Sequence, residues 1–120
     1  RAGTTGPRYG ELDDIAWYSG NSGGRTRGAG QLQPNRFGLH DMLGNVREWC
    51  ADWYGPYERE PVTDPSGLAH GRSRVVRGGS WDVNAGLVRA ACRFSYQPGV
   101  RFNLLGFRLA RGHKSKSGGK

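Results

Sequence analysis

Apolar positions are sparse along this chain, and only a few stretches carry a readable period. Near the far end, Leu105, Phe107 and Leu109 alternate with Gly106, Arg108 and Ala110, which predicts a strand with one buried face. Arg74-Val-Val-Arg77 predicts a second, shorter strand, stopped by Gly78-Gly79. Leu39, Met42 and Leu43 predict a single helical turn, ended by Gly44. Val46 to Tyr54 reads two ways. Apolar residues at 42, 46, 49 and 53 have helical spacing, whereas Trp49, Ala51 and Trp53 alternate with Glu48, Cys50 and Asp52 as a strand would. Period alone leaves both open.

The remainder reads as loop. Residues 1 to 34 are rich in Gly, Thr and Arg, with one apolar island at Ile15, Trp17 and Tyr18. The run from Ser19 to Gly30 predicts a surface loop, and it lacks the preceding strand and following helix that a phosphate cradle needs. Pro56, Pro61, Pro65 and Gly67 mark residues 55 to 73 as a connection. From Trp81 to Leu104 more than twenty residues show little periodicity. A long irregular stretch inside a small domain points to function, and its arginines and aromatics argue against disorder.

Composition sharpens this picture. The 120 residues fit one domain; 35% are hydrophobic and 21 are glycine, so turns and irregular loops must dominate. Four tryptophans and five tyrosines supply the core area that scarce aliphatics do not. The formal net charge is +8, and all three lysines (Lys114, Lys116, Lys120) lie in the last seven residues; without them +5 remains, carried by arginine. The arginines are interleaved with acids such as Asp13, Asp41, Glu48, Asp52 and Glu58, not gathered into the continuous basic stripe of a nucleic-acid surface. Their planar guanidinium suits structural pairing with carboxylates and aromatic rings. No apolar run is long enough to span a membrane. Two cysteines, Cys50 and Cys92, do not make a disulfide framework and read as buried thiols, which assigns no compartment.

Three stretches together resemble one family. They are Pro34-Asn-Arg-Phe-Gly-Leu-His-Asp-Met-Leu-Gly-Asn-Val-Arg-Glu-Trp-Cys-Ala-Asp-Trp-Tyr54, then Arg74-Val-Val-Arg-Gly-Gly-Ser-Trp81, then a closing segment. The last comprises Arg89-Ala-Ala-Cys-Arg93, Pro98, Arg101 and Leu105-Gly-Phe-Arg-Leu-Ala110. In order and spacing these are similar to the formylglycine-generating (sulfatase-modifying) enzymes and their relatives. The resemblance implies an α+β, C-type-lectin-like fold with short twisted antiparallel strands, few helices and many loops. It makes Val46 to Tyr54 a strand. It divides the chain into residues 1–111, the C-terminal part of such a domain, and residues 112–120, a basic tail. Arg1-Ala-Gly-Thr-Thr resembles the middle of a family module, so an upstream segment of the same protein is an expected partner.

Family enzymes oxidise a substrate cysteine with copper held by two cysteines in the closing segment. Alignment on the Arg, Pro and Gly-Phe-Arg landmarks implies Ala85 and Ala90 at those two positions. Neither alanine binds copper, and Cys92 alone is a poor Cu(I) site because thiolate pairs supply the affinity. The expectation is therefore a non-catalytic domain. The alternative is a copper-dependent formylglycine-generating oxidoreductase, or a fragment of a related enzyme. A structural Ca²⁺ is also implied, held by the Glu48 carboxylate, backbone carbonyls around Leu43, Gly44 and Val46, and the Asn45 amide, all hard oxygen donors. The competing reading pairs Glu48 with an arginine.

The closing segment mixes fixed-looking anchors with an open assortment of side chains, and resembles the variable region of retroelement-diversified C-type-lectin proteins. Residues 82–104 are thus expected to bind a protein or other macromolecular ligand. The candidate contacts are Asp82, Asn84, Leu87, Phe94, Tyr96, Phe102 and Asn103, with the rigid aromatics as anchors. For each aromatic, plain core packing is the competing reading.

Overall fold

The computed structural model describes residues 2–55 and 70–111. Most of the predicted 55–73 connection, with Glu58 and Glu60, and the 112–120 tail lie outside these described residues. One helical turn, α1 (Leu12–Ile15), precedes four strands: β1 (Arg47–Trp53), β2 (Arg74–Arg77), β3 (Arg93–Tyr96) and β4 (Leu105–Gly106). A 3₁₀ turn at Ala85–Leu87 lies between β2 and β3. Among the described residues no helix is long and apolar enough to cross a membrane.

The strands form one sheet in the order β3-β2-β1-β4. β1 pairs with β2 and β2 with β3 antiparallel, as expected, but β4 joins β1 in parallel, so the sheet is mixed. The ambiguous Val46–Tyr54 stretch is a strand, with a register shift between Trp49 and Trp53. Its alternation, not its helical spacing, matches the structure, because Trp49 stands opposite Val76, which in turn stands opposite Phe94. The centre of the sheet is dry on both sides: Val75 and Val76 are fully buried.

Two predicted elements differ. The helical turn at Leu39–Leu43 is absent, because Asn35 claims the backbone there. Its Oδ1 accepts the amides of Phe37 and Leu39 at 2.9 and 3.1 Å, and its own amide donates to the Leu39 carbonyl at 2.9 Å. Positive φ at Gly38, Asp41, Gly44 and Asn45 then excludes a helix. The strand predicted over Leu105–Leu109 stops at Gly106. Beyond it Phe107 and Leu109 are 78% and 89% exposed, and the backbone of 107–110 makes no hydrogen bond to another described residue. Among the described residues this edge has no neighbouring strand to pair with.

The main core forms where loops meet. Ile15, Ala16, Leu43, Val83 and Val88 are buried together, with Tyr9, Leu12, Tyr18 and Leu87 packed against them. What aligns these loops is a hydrogen-bonded node at Gly44-Asn45. The Gly44 amide donates to the Gly78 carbonyl at 2.5 Å, and the Asn45 amide to the Trp17 carbonyl at 2.7 Å. The Trp81 amide donates to the Asn45 carbonyl at 2.8 Å. The Asn45 side chain accepts from the Arg27 amide and donates to the Arg27 carbonyl, each at 3.0 Å. Gly44 has φ +76°, and a Cβ there would lie 2.4 Å from the Trp17 carbonyl oxygen. Both backbone sign and space demand glycine.

Gly44→Ala should therefore cost about 3 kcal/mol or more in urea denaturation, strain and overpacking combined. Gly38→Ala, with φ +77° but open space around the new Cβ, should cost about 1 kcal/mol. Equal losses would show that the close approach at Gly44 contributes nothing.

Candidate functional site: an arginine–aromatic sheet face

The register places Arg47, Trp49 and Trp53 of β1, Arg74 and Val76 of β2, and Phe94 and Tyr96 of β3 on one face of the sheet. Here the side chains are linked. Trp49 meets Tyr96 edge-on at 6.4 Å between ring centroids, and Tyr96 meets Phe102 at 5.4 Å. The Arg47 guanidinium lies 4.4 Å over the Phe94 ring and donates from Nη1 to the Tyr96 hydroxyl at 2.7 Å. Its Nε is buried without a partner. Arg74 lies 3.6 Å over Trp53 and donates to the Ala51 carbonyl. Phe102 is 52% exposed and Trp49, Phe94 and Tyr96 are half-buried, so the cluster is a surface with a packed floor.

Of the sequence-predicted contact residues, the structure links Phe94, Tyr96 and Phe102 through rings and the Arg47 guanidinium. Tyr96 packs edge-on against Phe102, and Arg47 bridges Phe94 to the Tyr96 hydroxyl. Asn103 follows Phe102, and its carbonyl accepts from Trp81 Nε1 at 3.1 Å. Asp82 is exposed and accepts from the Ser80 hydroxyl at 2.5 Å. Asn84 is exposed at the start of the 3₁₀ turn. Leu87 is different: it packs against the hydrophobic core. Sequence reasoning missed Arg47, Trp49 and Arg74. They lie outside residues 82–104, and only strand register carries them to the face.

A second feature is a cavity of about 510 Å³ whose lining includes His40, Asp41, Gly44, Asn45, Val46, Glu48 and Arg108. These residues test the calcium expectation. Asp41 is only 8% exposed; its Oδ2 accepts from the Gly30 amide at 2.9 Å, and its Oδ1 is buried with no partner. Such an orphaned carboxylate oxygen is an acceptor without a hydrogen-bond donor, and a hard cation is one partner that would satisfy it. Glu48 is already occupied. Arg108 Nε reaches Oε1 at 2.7 Å and Nη2 reaches Oε2 at 3.1 Å, while Nη2 also donates to the His40 and Asp41 carbonyls at 2.8 and 3.0 Å. The Glu48 hydrogen bond raises the Arg108 pKa, so this guanidinium is a permanent cation. The Asn45 amide is fully engaged with Arg27, and Leu43 packs into the core beside a different cavity. Among the described residues no group of three or more His, Cys, Asp or Glu forms a metal cluster, so the oxygens here fit a hard cation only as a set of Asp41 with backbone carbonyls. Glu48 joins it only by releasing Arg108.

The segment implied to carry the copper thiols is held by arginines instead. Arg8 donates to the carbonyls of Ala85 and Val88 at 2.5 and 2.8 Å, and Arg77 to that of Ala90 at 3.2 Å. Both cysteines are free thiols. Burial raises the Cys50 pKa, partly offset by the Arg77 charge, which leaves that thiol a poor nucleophile.

A loop-dominated mixed sheet that offers one arginine–aromatic face defines a C-type-lectin-like domain. The chain belongs to the family described as the sulfatase-modifying factor enzyme 1-like domain, whose family model matches residues 3–113. Treponema denticola variable protein 1 superposes with a TM-score of 0.83 at 39% identity, over 88% of this chain and 41% of that one. The formylglycine-generating enzyme of Streptomyces coelicolor is 42% identical over 91 residues, 72% of this chain and 29% of the relative. The serine/threonine-protein kinase pkn1 of Chlamydia pneumoniae is 47% identical over 83 residues, 65% of this chain and 13% of the relative. The chain thus spans under a third of the length of these two curated relatives.

Proposed function

We propose that this chain is a non-catalytic binding domain whose arginine–aromatic sheet face, together with the exposed Asp82, Asn84 and Asn103, contacts a protein ligand. The observation that carries this reading is the half-exposed cluster in which Trp49, Tyr96 and Phe102 pack edge-on and Arg47 joins Phe94 to Tyr96. Trp, Tyr and Arg are the residue types that dominate interface energetics, because each offers large area at low entropic cost. Similarity to a variable protein supports display, and the alanines at positions 85 and 90 weigh against a copper-thiolate enzyme. Binders selected independently from a displayed protein library should map to this face. Phe102→Ala and Asn103→Ala should each weaken them at least tenfold, against no change for Arg36→Ala outside the face. Binders that ignore both face variants sink the reading. A parallel Cu(I) titration against a competing chelator should show no tight site; tight binding lost in Cys92→Ala would revive the oxidoreductase.

The cavity at Asp41 and Glu48 is the proposed calcium site of this scaffold, with the Gly44 and Val46 carbonyls as further donors. Trp-sensitised terbium luminescence, competed by Ca²⁺, should report binding that Asp41→Asn weakens at least tenfold. An unchanged titration in that variant places the ion elsewhere.

An upstream segment of a longer parent polypeptide is the proposed cover for the open edge at 107–110. Phe107, Leu109 and Phe37, the last 75% exposed, are an apolar border beside unpaired backbone, which is the setting for an added strand. The matched region also fills less than half of the solved relative. Anilinonaphthalene sulfonate should fluoresce with the 120-residue chain and lose that signal in a chain extended upstream. Equal fluorescence in both means that the edge stays open.

A further inference from the structure

We infer that the arginine–aromatic face selects ligands that present carboxylates, so that its partner is an acidic polypeptide segment. This rests on the proposed binding role of that face and gives its partner a chemistry.

The argument starts from charge. Alternation along β1 sends Glu48 and Asp52 to the opposite side of the sheet from Arg47, Trp49 and Trp53. Arg47 and Arg74 make no ion pair with a described residue: their partners are ring faces, the Tyr96 hydroxyl and the Ala51 carbonyl. None of these partners neutralises a guanidinium. The Arg47 Nε–H is also buried and unused. A carboxylate satisfies a guanidinium with two parallel, charge-assisted hydrogen bonds. The rings beneath them fix the plane of each guanidinium.

A nucleic acid would also meet positive charge, but it needs open ring faces on which bases stack. Here the faces of Phe94 and Trp53 are covered by Arg47 and Arg74. The edge-on packing of Trp49, Tyr96 and Phe102 leaves no parallel platform. The chemistry that remains is a carboxylate against the guanidinium, with apolar contact to the exposed Phe102 ring.

The test uses three fluorescein-labelled probes of equal length with the complete 120-residue chain, read by anisotropy. One is a Glu/Leu peptide, the second its Gln/Leu counterpart, and the third a single-stranded oligonucleotide. The Glu peptide should bind at least tenfold more tightly than the Gln peptide and more tightly than the oligonucleotide. Arg47→Gln should remove that tenfold preference and Arg47→Lys should keep part of it, with thermal unfolding confirming that both variants fold. Arg36→Gln removes the same unit of charge outside the face and should leave affinity unchanged. Equal binding of the two peptides, no binding of the Glu peptide, preference for the oligonucleotide, or an equal loss in Arg36→Gln overturns the inference. The library binders separate the two levels: binders that map to the face yet carry no excess of Asp and Glu leave the binding role standing and remove the acidic partner.

Discussion

Everything in this domain hangs on the left-handed pair Gly44-Asn45. A chain with so few aliphatic residues cannot align its loops by apolar contact alone, and the described strands are short. The node substitutes directed hydrogen bonds: two backbone amides, one carbonyl and both ends of one side-chain amide engage Trp17, Arg27, Gly78 and Trp81. It therefore ties the α1 region, the glycine-rich loop and the turn after β2 to the start of β1. The core residues Ala16, Leu43 and Val83 are brought together by the loops so fixed. Positive φ at consecutive residues is what lets one short stretch face so many partners at once.

Arginine plays the part that lysine could not. Among the described residues, Arg27, Arg47, Arg74 and Arg93 stack on Trp17, Phe94, Trp53 and Tyr54, and Arg8 and Arg77 clamp the carbonyls of the 85–90 segment. Each stack contributes about 0.5–1 kcal/mol where exposed, more where water is excluded. Their larger effect is geometric, since a flat guanidinium both covers a ring and spans two acceptors. At Arg47 and Arg74 the same contacts supply no carboxylate partner from the described residues. Stability and recognition are here two consequences of one arrangement.

The cavity beside this sheet holds a guanidinium among oxygen acceptors. Arg108 already delivers positive charge to Glu48 and to two backbone carbonyls, while Asp41 keeps one carboxylate oxygen buried and unpaired. Asp41 was one acid among several in the sequence, with no spacing to single it out. Its burial comes from the positive φ at its own backbone and from the loop that lays Gly30 against it.

The sequence by itself determined the fold class, β1 and β2, and the family, because motif residues such as Gly44, Asn45, Glu48 and Gly78-Gly79 act through local backbone geometry that their order records. It also pointed to Phe94, Tyr96, Phe102 and Asn103, which sit close together in the chain. Tertiary structure alone decided what crosses between distant segments. Trp49 and Arg74 reach the face through register, Leu87 turns to the core, and Glu48 meets Arg108 sixty residues away. The parallel pairing of β4, and the exposure of Phe107 and Leu109 despite a clean alternation, belong to the same class. Alternation states which side chains share a face; only the presence or absence of a neighbouring strand decides whether that face is buried.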